Sequence, residues 1–267
     1  MMQLLPVGNG YGFLHRADPQ RPPRATMLML NAGLIHRGGP ARMNIELADH
    51  LAPHGIDLFR FDLPAVGDAP AGGVDRQQHI RQAMDIAAAA NGCERFIVGG
   101  ICSAADLAWR LPPLDARVQG LLLLDPCAVR GLWFRWAQLQ HFASRPVATW
   151  GHMLQRWLRH GWNDGGAAPA GRDWPSQREF IDGNRRMATA GIAMYVLYTA
   201  GVTEYFLHPR QMHTSFAATG NDPRLRLRHR PDIDHILFVP HQRAEVLDDI
   251  AAWLDAWLPA AESSVAG

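Results

Sequence analysis

The chain has 267 residues, enough for one large α/β domain or two small ones, with 48% hydrophobic residues and a formal net charge of +1. That balance gives no basis for a nucleic-acid or acidic-membrane partner. All 26 of the Lys+Arg residues are arginine, which excludes mechanisms that need a lysine amine, Schiff bases and the phosphate-loop nucleotidases among them.

Residues 25–30 (ATMLML) are a short apolar run that reads as a buried strand entering a loop at Asn31-Ala32-Gly33. ARMNIELADHLAPHG follows as a helix, with Met43, Leu47 and Leu51 on one face and Pro53 and Gly55 stopping it. DLFRFD (57–62) is the next strand, and its loop LPAVGDAPAGG is full of breakers. A helix from about 74 to 90 leads to the strand 95–99, and Ser103 to Leu111 is helical until Pro112-Pro113. VQGLLLLD (118–125) is apolar throughout, as in a strand covered on both faces.

From about 128 to 191 the alternation breaks, and Trp133, Trp136, Trp150, Trp157, Trp162 and Trp174 all fall there. Helical spacing links Leu132, Trp133, Phe134 and Trp136, and again Trp150, Met153, Leu154 and Trp157, with NDGGAAPAGRDWP as a flexible loop. AMYVLYT (193–199) and RLRLRHR (224–230) resume the strands, and the alternation of the second marks a place nearer an edge. A last helix, 241–258, carries a broad apolar stripe, and PAAESSVAG reads as a frayed tail.

This order predicts an α/β protein with a doubly wound, mostly parallel sheet. The core is 1–127 with 192–259, the stretch 128–191 is a helical Trp-rich cap over the sheet's C-terminal edge, and 260–267 is a disordered tail. Ligands of such sheets bind at that edge. Cys93, Cys102 and Cys127 have no metal-ligand spacing, and no secretory peptide precedes them, so a reducing, cytoplasmic setting is expected. The 13 histidines form no HxH or HExxH, so no metal and no cofactor is expected. QGLLLLDPCAV is too short for a membrane span, and no stable membrane insertion is expected.

IVGGICSAADLAWR (97–110) runs from strand to helix through small residues, as a nucleophile elbow does. Such a turn needs small residues two before and two after the nucleophile, where side chains would collide. Gly100 and Ala104 meet that need around Cys102, whereas Ile101 would clash if Ser103 were central. The spacing selects Cys102. Ser103 then supplies only its backbone N–H to an oxyanion hole, and its side chain is dispensable. A close-packed strand–helix turn with a buried, inert cysteine would share these residues. The order of the chain favours chemistry, because RHRPDIDHILFVP puts His235 in the loop after the last strand.

LNAGLIHRGGPARM, LFRFDLPAVGD and VGGICSAAD resemble the strand ends of α/β-hydrolases, most closely the hydrolases associated with the exosortase A system. The resemblance runs from about Leu5 to Leu258; Ala104 stands where it implies glycine. A cysteine in the elbow is also similar to dienelactone hydrolases, whose acid and loop sequences are not matched. The resemblance implies the backbone N–H of Gly33 or Leu34 as the second oxyanion donor. His36 and Arg37 either hold that loop or meet an acidic group of the substrate.

For the acid, the usual site is the loop after 193–199, which reads AGVTEYFLHPRQ and offers Glu204. Asp125, at the end of the preceding strand, is the alternative, and a Cys–His dyad a third. Asp62 and Asp68 read as caps or turn residues. The expected function is an esterase or thioesterase-type acyl hydrolase, or an acyltransferase, working through an acyl-cysteine. Its partner would be a small-molecule or carrier-bound acyl substrate. Trp133, Trp136 and Trp157 argue for a sizeable apolar acyl group unless they are the cap's own core. The rival reading is a binding, scaffolding, lyase or cyclase protein that kept the fold and lost the acid.

Overall fold

The apolar runs expected as strands line up as neighbours in one eight-stranded sheet, ordered β1-β2-β4-β3-β5-β6-β7-β8 in the computed structural model. It describes residues 1–72, 74–144, 172–216 and 222–260. The strands are β1 (Met2–Val7), β2 (Gly10–His15), β3 (Ala25–Met29), β4 (Ile56–Phe61), β5 (Phe96–Ile101), β6 (Val118–Leu124), β7 (Ala193–Thr199) and β8 (Leu225–Arg230). β2 is antiparallel to β1 and to β4, and every pairing from β4 to β8 is parallel. All of β3, β4, β5 and β7 is buried, the pattern of a sheet covered on both faces. β8, with its alternating RLRLRHR, is the edge strand that the alternation predicts.

The helices are α1 (Met43–Leu51), α2 (Arg76–Asn91), α3 (Ser103–Trp109), α4 (Leu132–Ala143), α5 (Gln177–Thr189), α6 (Arg210–Phe216) and α7 (Pro240–Trp257). α3 packs on β5 and β6, and α1 packs against α7. α5 begins with a capping box in which Ser176 and Glu179 satisfy each other's backbone N–H groups. Its Phe180 and Met187 join the main core, and Phe180 meets Trp109 with ring centroids 5.2 Å apart. The end of the Trp-rich stretch therefore supplies the crossover helix into β7.

The N-terminal hairpin was not among the expected strands. Its signal is a two-residue Gly8-Asn9 connection, which is hairpin chemistry. Only Leu5 and Val7 of β1 are buried, so no apolar run announces it. The expected helix around Trp150–Trp157, residues 163–171 of the loop after it and the tail from 261 onward lie outside the described residues. No helix among the described residues is long and apolar enough to cross a membrane.

Because β3 to β8 run in parallel, the residues just after each strand share one edge. Gly33 follows β3, Cys102 follows β5, Asp125 follows β6 and His235 follows β8.

Candidate active site

β5 ends at Ile101, and α3 begins at Ser103, leaving one residue to make the turn. That residue, Cys102, has φ 58 and ψ −123, a conformation that costs a side chain-bearing residue about 1–3 kcal/mol. Its N–H donates to the Leu124 carbonyl at 2.8 Å, and its carbonyl accepts from Asp106 N–H at 3.2 Å. A Cβ on Gly100 would lie 2.4 Å from that of Ala104. Only glycine fits there.

Asp125 also has positive φ, 52°, which turns its carboxylate back toward β7 and β8. The residue is fully buried, and one carboxylate oxygen accepts the Thr199 N–H at 2.7 Å. The other accepts the Thr199 hydroxyl at 2.6 Å and meets His235 Nδ1 at 2.7 Å. With Nδ1 engaged, Nε2 is left free for Cys102, and the imidazole and the thiol are close enough to shift each other's pKa. Asp125, His235 and Cys102 thus stand in one cluster.

The bonds to Asp125 and then Cys102 raise the His235 pKa to about 9 against the opposing effect of burial. Burial alone would raise the Cys102 thiol. The His235 hydrogen bond, the positive charges of Arg172 and His235 and the Ser103 N–H outweigh burial and leave it below its usual value. The two protons belong to the pair rather than to either residue. Cys127 is the contrast: burial pushes its thiol well up, so it stays protonated.

Glu204 does not reach His235 and is exposed. The loop after β7 packs Gly201 against His235, where a Cβ would come within 2.3 Å of His235 Cβ, so no side chain fits at 201, and the charge of Glu204 acts on Arg130 instead. Asp125 holds the position one strand earlier.

The Asn31-Ala32-Gly33 loop is pinned by Asp62. Asn31 Nδ2 donates to Asp62 at 3.0 Å, Arg37 N–H donates to it at 2.7 Å, and Leu63 N–H returns to Asn31 Oδ1 at 2.7 Å. The Arg37 guanidinium bonds Asp62, Asp68 at 2.7 Å and the Tyr11 hydroxyl at 3.1 Å, and only 6% of its side chain is exposed. Arg37 is therefore held as a brace of the loop by Asp62, Asp68 and Tyr11. His36 is exposed, with Nδ1 accepting from Gly38 N–H at 3.0 Å. Of the two possible oxyanion donors, Gly33 reaches the elbow, donating its N–H to Ser103 Oγ at 3.1 Å.

Among the cap residues, Trp133 stacks on His208 at 5.1 Å and lies under the Arg210 guanidinium at 4.3 Å. Its ring thus joins α4 to α6 rather than standing free for a ligand. Trp136 is 52% exposed, and Trp157 lies outside the described residues.

Arg172 carried no sequence signal. Its side chain, 5% exposed, forms a fork on Asp106 at 2.7 and 2.8 Å and donates to the Tyr205 hydroxyl at 2.7 Å. One of its nitrogens also approaches the carbonyls of Cys102 at 3.4 Å and Asp125 at 3.2 Å. The return from the Trp-rich stretch is thereby clamped to the backbone of both the elbow and the acid. Arg172→Met should lower stability by about 3 kcal/mol, at the lower end for a broken buried pair. Asp106 keeps two other donors, Cys127 N–H and Trp174 Nε1, which limits the loss. A denaturant midpoint unchanged from the parent would contradict this.

No family model matches the chain, and no curated protein sequence does. Solved structures do. An α/β serine hydrolase without lid, XC6422 from Xanthomonas campestris, matches with TM-score 0.57 at 15% identity over 97% of this chain and 95% of its own. The Pyrococcus furiosus esterase Pf2001 matches with TM-score 0.56 at 12% identity, covering 97% and 91%. A proline iminopeptidase-related protein from Thermus thermophilus matches with TM-score 0.51 at 18% identity, covering 97% and 98%. At these identities the likeness establishes the fold: the chain has the α/β-hydrolase fold.

Proposed function

We propose that this protein is an acyl hydrolase of the esterase or thioesterase type, or an acyltransferase, that works through an acyl-cysteine on Cys102. One observation carries the reading: His235 is bonded to buried Asp125 and stands beside Cys102 in a strained elbow, close enough that imidazole and thiol shift each other's pKa. The chain order Cys102, Asp125, His235 is the nucleophile–acid–histidine order of α/β-hydrolases. The matched structures named as an esterase and a serine hydrolase agree with it. The resemblance to exosortase A-associated hydrolases, carried by the N-A-G loop and the cysteine elbow, belongs to the same proposal.

The Cys102 thiolate attacks the acyl carbon, forming a C–S bond as the carbonyl electrons move onto oxygen. Ser103 N–H and the Gly33 side of the loop hold that oxyanion. Collapse expels the alkoxide or thiolate leaving group, which takes the proton from His235 Nε2. Water, or another acceptor, then gives a proton to the neutral imidazole and attacks the thioester. A second collapse releases the acid, or the transferred acyl group, and restores thiolate and imidazolium. The bond from Asp125 to His235 favours this reading over the rival of a protein that lost its acid.

The reading is tested by intact-protein mass after incubation with a panel of acyl thioesters. An acyl adduct on Cys102, with chain-length preference, is expected; no adduct and no turnover across the panel would defeat it.

A pH prediction follows from the coupled pair. The Cys102 thiol ionises below its usual pKa of 9.0, so its alkylation by iodoacetamide should have a midpoint below that value. His235→Ala removes the largest influence that favours the thiolate, and the midpoint should move up. Protonation of the leaving group by His235 should fade as pH rises through about 9. An unshifted alkylation curve in His235→Ala would break the proposed pair.

A further inference from the structure

The Ser103 side chain sits where its expected role leaves nothing for it to do. Ser103 is the first residue of α3, half-buried, and no side chain caps that helix. Its hydroxyl oxygen accepts the Gly33 N–H at 3.1 Å, which is the N–H that the proposed oxyanion hole needs as its second donor. Its own backbone N–H, the first donor, stands beside Cys102 at the start of the helix. The hydroxyl is thus bonded to one of the two donors, and it donates no hydrogen bond of its own to the described residues.

We propose that the Ser103 hydroxyl is itself an oxyanion donor: it accepts the Gly33 N–H and donates its O–H to the oxygen of the tetrahedral intermediate. This rests on the acyl-cysteine reading. An accepted hydrogen bond polarises a hydroxyl and strengthens the bond that it donates. The hydroxyl would be a catalytic group that stands between the Gly33 N–H and the oxyanion in place of a direct bond from Gly33, and no atom changes bonds at it, since the proton stays on Oγ throughout. The charge that it meets exists only after attack, so it stabilises the transition state and not bound substrate.

Ser103→Ala tests the idea without harm to the fold, because alanine is the strongest helix former and no cap is lost. With p-nitrophenyl acetate and p-nitrophenyl decanoate, kcat should fall by about 10²-fold while KM holds within about twofold. Ser103→Thr, which keeps the hydroxyl, should stay within about tenfold of the parent. Alkylation of Cys102 by iodoacetamide passes through no oxyanion, so its rate and pH midpoint should be the same in parent and Ser103→Ala.

Each other outcome overturns the proposal. Turnover in Ser103→Ala equal to or above the parent would mean that the hydroxyl only covers the Gly33 N–H. A joint loss of turnover and alkylation would mean that Ser103 supports the thiolate. A raised KM with kcat unchanged would mean that it braces the loop for binding. A parent enzyme that alkylates yet turns over neither ester nor thioester would overturn the acyl-cysteine reading and this proposal with it.

Discussion

Cys102→Ala should abolish ester and thioester turnover, a loss of about 10⁵-fold or more on the scale for removing a nucleophile. The substitution is clean. Alanine carries the same Cβ at φ 58 as cysteine, so the elbow keeps its shape and its strain. Iodoacetamide should label one thiol per native parent chain and none in the variant, because Cys93 and Cys127 are both buried. Two outcomes would sink the assignment: residual turnover near the parent's, or a labelled thiol in native Cys102→Ala.

Asp125→Asn should lower turnover by about 10²–10⁴-fold, while Glu204→Gln stays within about twofold of the parent. The buried carboxylate faces three donors, Thr199 N–H, Thr199 Oγ–H and His235 Nδ1–H. An amide has one oxygen, so its NH2 must oppose a donor, and the imidazole then prefers the wrong tautomer. The alkylation midpoint of Cys102 should also rise, since an imidazolium without its carboxylate is weaker support for a thiolate. Thr199 bonds are lost as well, so melting is measured beside turnover. If Glu204→Gln is the inactive variant and Asp125→Asn is active, the acid has been placed on the wrong strand.

These two expectations draw on different sources of information. Cys102 over Ser103 was legible in the chain, because the elbow is decided by residues two apart. Gly100 and Ala104 are in contact in any structure that makes this turn, and Ile101 would not fit in Gly100's place. The strands from β3 to β8 were legible for a similar reason: a run such as VQGLLLLD must be buried on both faces wherever it lies. RLRLRHR declared an edge by its alternation.

What the chain could not display was which distant groups meet. Asp125 and His235 are 110 residues apart, Arg172 and Asp106 are 66, and Gly33 and Ser103 are 70. Glu204 had the expected place in the order of elements, but order does not say how a loop is threaded. Packing of Gly201 on His235 leaves no room for a side chain at 201, Glu204 is exposed, and Asp125 after β6 reaches the ring. Arg37 and Arg172 look alike as charges in a sequence. Burial against Asp62 and Asp106 made both of them braces. Local sterics can be read from neighbours along the chain, whereas charge pairing and hydrogen-bond closure depend on which strand ends share an edge, and only the folded sheet sets that.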